Sequence, residues 1–312
     1  MALLIVLLAL GLVQIWGSGG PLHRDSWFYR WRDLVYRLGF IRDRAGIGFG
    51  VLVLVPVLGA AIVLALAESM LGGFGILLIS VPLLLYCFGR GNFNESLASY
   101  LRAWYQGDFE SAQEAARPIL GAFKAHADNP PAFESVPDVQ SSLHRLVFKA
   151  AAYRAFERLF VVLFWFLLLG IPGALLYRLS QLVTVTESGE KVASNGESSL
   201  PDVELALRWL WLLEWLPVRV MGFTLAIVGN FAGCYRAWRA HLTCKEIATE
   251  DALEYYLEGA LGGIDSSECS AGVAVSEGQR LCGAEIEAMQ AILSRALLMW
   301  ITLMALYVLF VN

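Results

Sequence analysis

Charge is what this sequence has least of. Acidic and basic side chains together make up 16% of its 312 residues, and the formal net charge is −5. A chain this sparse in basic groups, with no dense basic and aromatic patch, is not built to hold a phosphate backbone, so nucleic acid is excluded as a partner. Cysteine is scarce as well, at five residues: Cys87, Cys234, Cys244, Cys269 and Cys282. They fall mostly in segments assigned to the cytoplasm by the distribution of charge, where thiols stay reduced. His241 and Cys244 stand three apart on an expected helix without a second pair at ligand spacing, so no metal site is expected. There is no G-x-S-x-G, no H-E-x-x-H and no Cys–His pair with an orienting acid. The glycine clusters GIGFG (Gly46–Gly50) and GALGG (Gly259–Gly263) match no phosphate loop and come after no strand, which leaves helix packing and capping as their use. No internal repeat, low-complexity tail or heptad seam stands out.

What the chain has in quantity is apolar sequence: 57% of all residues, with a mean hydropathy of +0.59. That composition belongs to a membrane protein. Apolar runs fit for a bilayer lie at about residues 1–16, 47–67, 71–88, 159–178, 206–229 and 293–311. They read as six crossings or near-crossings. Residues 1–16 are short for a span and 206–229 can enter the membrane without leaving it, so the count lies between four and six. The first run has no basic residue ahead of it and reads as a retained span rather than a signal peptide.

Basic side chains set the orientation. Arg24, Arg30, Arg32, Arg37, Arg42 and Arg44 come after the first run, and Arg90, Arg102, Arg117, Lys124, Arg145, Lys149, Arg154 and Arg158 after the third. Both segments are assigned to the cytoplasm, and the Ser- and Glu-rich loop between the fourth and fifth runs, about residues 180–202, to the outside. The fold class is therefore all-α: a polytopic helical membrane protein with one interrupted helix and cytoplasmic helical segments. Its organisation reads as membrane helices and a basic loop (1–88), a cytoplasmic helical segment (89–158), central membrane helices with an external loop (159–229), an acidic cytoplasmic segment (230–292) and a C-terminal span (293–312). Two short helices around a Gly107 break are expected within 94–123, then a Pro-rich loop, then helix from about Ser141. In 230–290, ten acidic residues face four basic ones, an acidic face opposed to the basic one.

The segment Leu205–Gly229 carries Glu214, Pro217 and Arg219 near its middle, where charge is costly. Pro217 has no amide hydrogen and frees the carbonyl of Leu213, so a kink or split is expected there. Such a break would let Glu214 and Arg219 face one ligand cavity. The alternative is an interfacial helix with Trp209, Trp211 and Trp215 at headgroup level and Arg219 reaching phosphate. A second group is Arg102, Asp108 and Glu110 with Glu157 and Arg158 ahead of the fourth span. It reads either as a magnesium–phosphate mouth or as solvated, cross-paired charge.

Three pieces of this sequence resemble known families. FW…LGIPGALLYR within Ala152–Leu179, the W-L-P-V-R-V-M-G core at Trp215–Gly222 and the G-D…A-R pattern from Gly107 to Arg117 are similar to the AmpE family and, more remotely, to the cobalamin-biosynthesis family of CobD and CbiB. The AmpE resemblance implies a regulatory or sensory protein of the bacterial inner membrane in β-lactamase induction and cell-wall recycling. The family name carries no physical mechanism; the residues named above add the expectation of a bound small anionic or nucleotide-like ligand. The cobalamin-family resemblance implies an amide-forming condensation, with Glu157, Pro217 and Arg219 carried over by position and magnesium and nucleotide as its cofactors. That family's Arg-Asp-Thr cluster is not matched, since Ala122–Ala127 reads AFKAHA. A scaffold for a partner protein remains a third reading. A transporter ranks last, because it calls for paired discontinuous helices and the sequence offers one.

Overall fold

A computed structural model describes residues 1–16, 25–37, 45–88, 93–120, 137–184, 201–244, 247–262 and 275–311. Among them every element is helical: α1 (Ala2–Trp16), α2 (Ser26–Arg37), α3 (Ala45–Cys87), α4 (Phe93–Gln106), α5 (Phe109–Leu120), α6 (Pro137–Ala155), a π-helical stretch at Phe156–Phe160, α7 (Val161–Val183), α8 (Pro201–Val228), α9 (Phe231–His241), α10 (Thr249–Leu261) and α11 (Val275–Val311). Four helical stretches are long and apolar enough to cross a membrane: Gly46–Cys87, Leu143–Val183, Glu204–Val228 and Gly283–Phe310. The all-α, multi-span class with helical segments outside the spans is the expected one. The chain divides into two compact units, Met1–Asn92 with Glu157–Leu213, and Phe93–Phe156 with Glu214–Asn312.

The first unit is built on two helical hairpins. Gly72 sits at φ 59°, ψ −146° inside α3, and Gly170 at φ 69°, ψ −156° inside α7. That region is open essentially only to glycine. The chain reverses at each point. A Cβ placed on Gly75 would overlap the carbonyl oxygen of Ala67, eight residues earlier. One placed on Gly173 would lie 2.5 Å from the carbonyl oxygen of Trp165, again eight residues earlier. In a straight helix residues eight apart are about 12 Å apart along the axis, so both contacts require antiparallel arms.

Four candidate spans are the low end of the expected four to six, because two of the runs share one hairpin. Residues 47–67 and 71–88 are the two arms of one hairpin, and the run expected over 159–178 contains the tip of the other. The return arms, Gly73–Cys87 and Ile171–Val183, are about 20 Å long, short of the roughly 30 Å a hydrocarbon core needs. The second return arm runs back beside the helix it came from, so its end at Thr184 lies on the side of Glu157. The expected crossing to an external loop is corrected accordingly; residues 185–200 of that loop lie outside the described residues. The arm from Ile171 onward is buried on nearly every face, through Ala174, Leu175, Tyr177, Leu179 and Leu182, and forms the core of this unit. On the same arm Arg178 pairs with Asp25 at 3.3 Å and bonds Gln181 at 2.7 Å. The Trp27 indole, on amphipathic α2, donates to the Tyr86 hydroxyl at 3.1 Å.

The second unit packs α4, α5 and α6 with α9, α10 and α11 and the C-terminal part of α8. Leu97, Tyr100, Leu101 and Trp104 on α4 and Leu253, Tyr256, Leu257 and Ala260 on α10 fall at helical spacing and are buried, as amphipathic helices outside a membrane require. The expected pair of helices around Gly107 is present as α4 and α5. Helix resumes at Pro137, four residues ahead of expectation, with proline in the first turn where its missing N–H costs nothing. The Pro-rich stretch 127–136 lies outside the described residues, as does 263–274. Beyond that, the expected loop through Gly283 is already α11 from Val275.

Candidate functional site

Of the kink or split expected at Pro217, the split does not occur: α8 is one continuous helix with the proline inside it. The reason is local: the Leu213 carbonyl, which Pro217 leaves without its amide partner, accepts the Trp165 indole N–H at 3.1 Å. An accommodated proline bends a helix without ending it.

Two residues beyond the proline, Arg219 is buried, at 5% exposure. Its guanidinium donates to three main-chain carbonyls: Nη2 to Cys244 at 2.7 Å, Nη1 to Trp215 at 3.3 Å and Nε to Leu242 at 3.5 Å. It lies 4.7 Å over the Trp215 ring, and the Arg219 carbonyl takes the Trp238 indole at 2.8 Å. Leu242 and Cys244 belong to the connection between α9 and α10, so one cation ties that connection to the membrane helix. Glu214 is also buried and accepts the Tyr153 hydroxyl at 3.0 Å.

The second sequence-derived group is divided between the units. Arg102, Asp108 and Glu110 are exposed residues of the second unit. Asp108 caps α5, its Oδ1 accepting the Ser111 amide at 3.1 Å, and Ser111 holds the carboxyl below its usual range through its side chain first and its backbone next. The G-D pattern thus marks the end of one helix and the start of the next: Gly107 carries positive φ after α4, and Asp108 caps α5. Glu157 and Arg158 lie in the first unit, on the π-helical stretch that precedes α7. Glu157 is 4% exposed, and Arg158 Nε donates to the Phe88 carbonyl at 3.2 Å.

The charged layer of the second unit was legible only in outline. The basic face of α6 does meet the acidic α10: Arg145 Nε lies 2.6 Å from Glu254 Oε1, and Lys149 bonds Asp251 and lies 3.6 Å from Glu254 Oε2. Sequence reasoning missed His144. It is 4% exposed, with Nδ1 3.3 Å from the Tyr100 hydroxyl and Nε2 3.7 Å from Glu285 Oε2, and Trp104 packs against its ring at 5.1 Å. Its only signal was a polar residue on the buried face of α6. His241 stacks on Tyr255. Among the described residues no three His, Cys, Asp or Glu side chains are grouped to hold a metal ion.

Glu258 shows what this acidic crowding does. Burial first, then the neighbouring Glu254, push its carboxyl above the usual range. A carboxyl raised by folding adds stability while protonated and loses it as pH rises through its folded value. Glu258→Gln should therefore raise the melting temperature at pH 8 and leave it nearly unchanged at pH 4.5, which paired thermal melts in detergent check.

Known proteins share parts of this chain. A relative described as "Cobalamin biosynthesis protein CobD", from Chromobacterium violaceum, is 26% identical over 187 residues, 58% of this chain and 55% of the relative. The chain thus spans about half of that protein's length. No solved structure matches. The family described as "Regulatory signalling modulator protein AmpE" matches residues 1–253. With that match running through both hairpins and the Arg219 helix, the chain belongs to the AmpE family, as a multi-pass protein of the bacterial inner membrane.

Proposed function

We propose that this protein is a regulatory modulator in β-lactamase induction and cell-wall recycling, and that Arg219 is the ligand-responsive point of its second unit. The observation that carries this is the guanidinium's choice of partners. Among the described residues, the hydrogen bonds of Arg219 go to neutral carbonyls, with no carboxylate among them. A carboxylate or phosphate forms charge-assisted, bidentate bonds roughly twice as strong as neutral ones. A small anion reaching Arg219 therefore competes with the Leu242 and Cys244 carbonyls and frees the α9–α10 connection, a change of packing driven by differential affinity. Further polar groups are proposed for ligand binding in each unit by itself: Glu214, Arg102, Asp108 and Glu110 in the second, Glu157 and Arg158 in the first.

The test is hydrogen exchange of the full-length protein in detergent, with inorganic phosphate and adenosine triphosphate as probes. Exchange across His241–Thr249 should rise on adding a probe, and Arg219→Ala should show the loosened pattern without it. Arg219→Ala and Glu157→Ala variants that keep full probe affinity overturn the assignment.

A second reading, magnesium- and ATP-dependent amide formation, draws on the CobD likeness and on the buried Glu157. Phosphate release from adenosine triphosphate by purified protein, lost in Glu157→Gln, supports it, and no release above the Glu157→Gln background sinks it. A scaffold for a partner protein predicts instead a co-purifying subunit that survives Arg219→Ala.

A further inference from the structure

The two hairpins are copies of one device. Leu71–Leu78 reads LGGFGILL and Leu169–Leu176 reads LGIPGALL. In both, the first glycine takes the same backbone conformation and the second, three residues on, lies against the carbonyl eight residues earlier. The expectation that the chain holds no repeat is corrected by this pair.

Between the tips lies a cavity of about 500 Å³, within the roughly 300–1,000 Å³ of small-molecule sites. Its walls are apolar, with Ile5, Leu64, Phe166 and Ile171 among them; Met1 lines it as well, and its two polar side chains are Glu68 and Ser80. Ser80 is 2% exposed, and Glu68 is an exposed residue of the same lining. An ionisable group on a membrane helix is by default a candidate binding position. The surrounding surface is lipid-like in chemistry: Met70, Leu71 and Phe74 are exposed at 82%, 58% and 66%. The outbound arm Ala45–Leu71 is about 40 Å long, enough to bring the tip to the far membrane face. Glu68, one turn before the tip, then lies at headgroup depth. Ser80, two turns beyond the tip on the return arm, lies about 6 Å deeper than Glu68, at the level of ester linkages and acyl chains.

We infer that this cavity binds a glycerophospholipid with a primary-amine headgroup. The ammonium pairs with Glu68, an ester carbonyl accepts from the Ser80 hydroxyl, and an acyl chain fills the apolar walls. This site is independent of Arg219 and of the regulatory reading.

The experiment is native mass spectrometry of the full-length protein ejected from nanodiscs of equal parts phosphatidylethanolamine and phosphatidylglycerol, which share ester linkages and chains and differ in the amine. Wild type should retain phosphatidylethanolamine, enriched roughly three- to fivefold over the bulk, the ratio a partly exposed ion pair supports. Glu68→Gln, at an exposed position where folding is not at stake, should still retain lipid but without preference. Ala65→Phe, which fills the cavity, should retain neither lipid. Bound lipid of bulk composition in wild type, or enrichment unchanged in Glu68→Gln or in Ala65→Phe, overturns the assignment.

Discussion

Gly173→Val should be among the most damaging single substitutions in this protein, costing about 3 kcal/mol or more. The position tolerates nothing larger than hydrogen, because a Cβ there would come within 2.5 Å of the Trp165 carbonyl oxygen and 2.6 Å of the Leu169 Cβ. Neither atom belongs to the far end of a flexible side chain, so relief requires the arms of the hairpin to part. The arm that would shift is the most buried helix of the first unit, from Ile171 to Val183. Gly170→Ala acts through a different cause, the strained φ/ψ, and should cost about 1–3 kcal/mol. Gly59 provides the control: it lies in the same kind of apolar helix with nothing within 4 Å and no positive φ. Gly59→Ala should be neutral or stabilising, by up to about 1 kcal/mol. Urea and thermal unfolding of the four proteins in one detergent checks the order. Equal stability of Gly173→Val and Gly59→Ala would mean that the chain does not fold back at Gly170.

The hairpins also show where sequence reading stopped. Long apolar runs announce membrane helices because the bilayer demands about 20 residues without charge. Reversal of direction leaves no such mark when the turn itself is apolar. At Gly72 and Gly170 the chain turns on glycine without a polar residue, so hydropathy sees one run where the backbone has two arms. The shared octapeptide was the available signal, and it is short enough to pass as ordinary membrane composition until its two glycines are seen to do the same work. Pro217 misled in the opposite sense. A proline in a helix does free a carbonyl, as expected at Leu213, but whether the helix splits depends on a donor elsewhere in the chain, here Trp165, 48 residues away. Arg219, Glu214 and Glu157 were legible as charges that an apolar helix must account for. Their partners, main-chain carbonyls for Arg219 and a tyrosine for Glu214, were not, since backbone acceptors carry no sequence signature. His144 was missed for a related reason: one histidine on an amphipathic helix looks like any polar residue until Tyr100, Trp104 and Glu285 close around it.

Removing one partner of the Arg178–Asp25 pair should cost about 3–5 kcal/mol, and removing both far less. The pair sits on the second return arm with side chains 11% and 6% exposed, respectively, so neither charge is open to bulk water. Arg178→Met leaves Asp25 buried beside Tyr86, and Asp25→Leu leaves a guanidinium bonded to Gln181 alone among the described residues. Either variant should unfold at markedly lower denaturant, with the start of α2 loosening first, since the Asp25 carbonyl accepts the first amides of that helix, Phe28 at 2.9 Å and Tyr29 at 3.3 Å. The double variant replaces two buried charges with apolar groups that suit the same setting, and well-packed replacements of buried ion pairs are often neutral. A double-mutant cycle of unfolding in detergent, with hydrogen exchange across Asp25–Arg37, measures the coupling. Additive costs, with the double variant the least stable of the set, would show that each charge is held by its surroundings and not by the other. A strong coupling would establish that α2 is fastened to the inner hairpin arm by this pair.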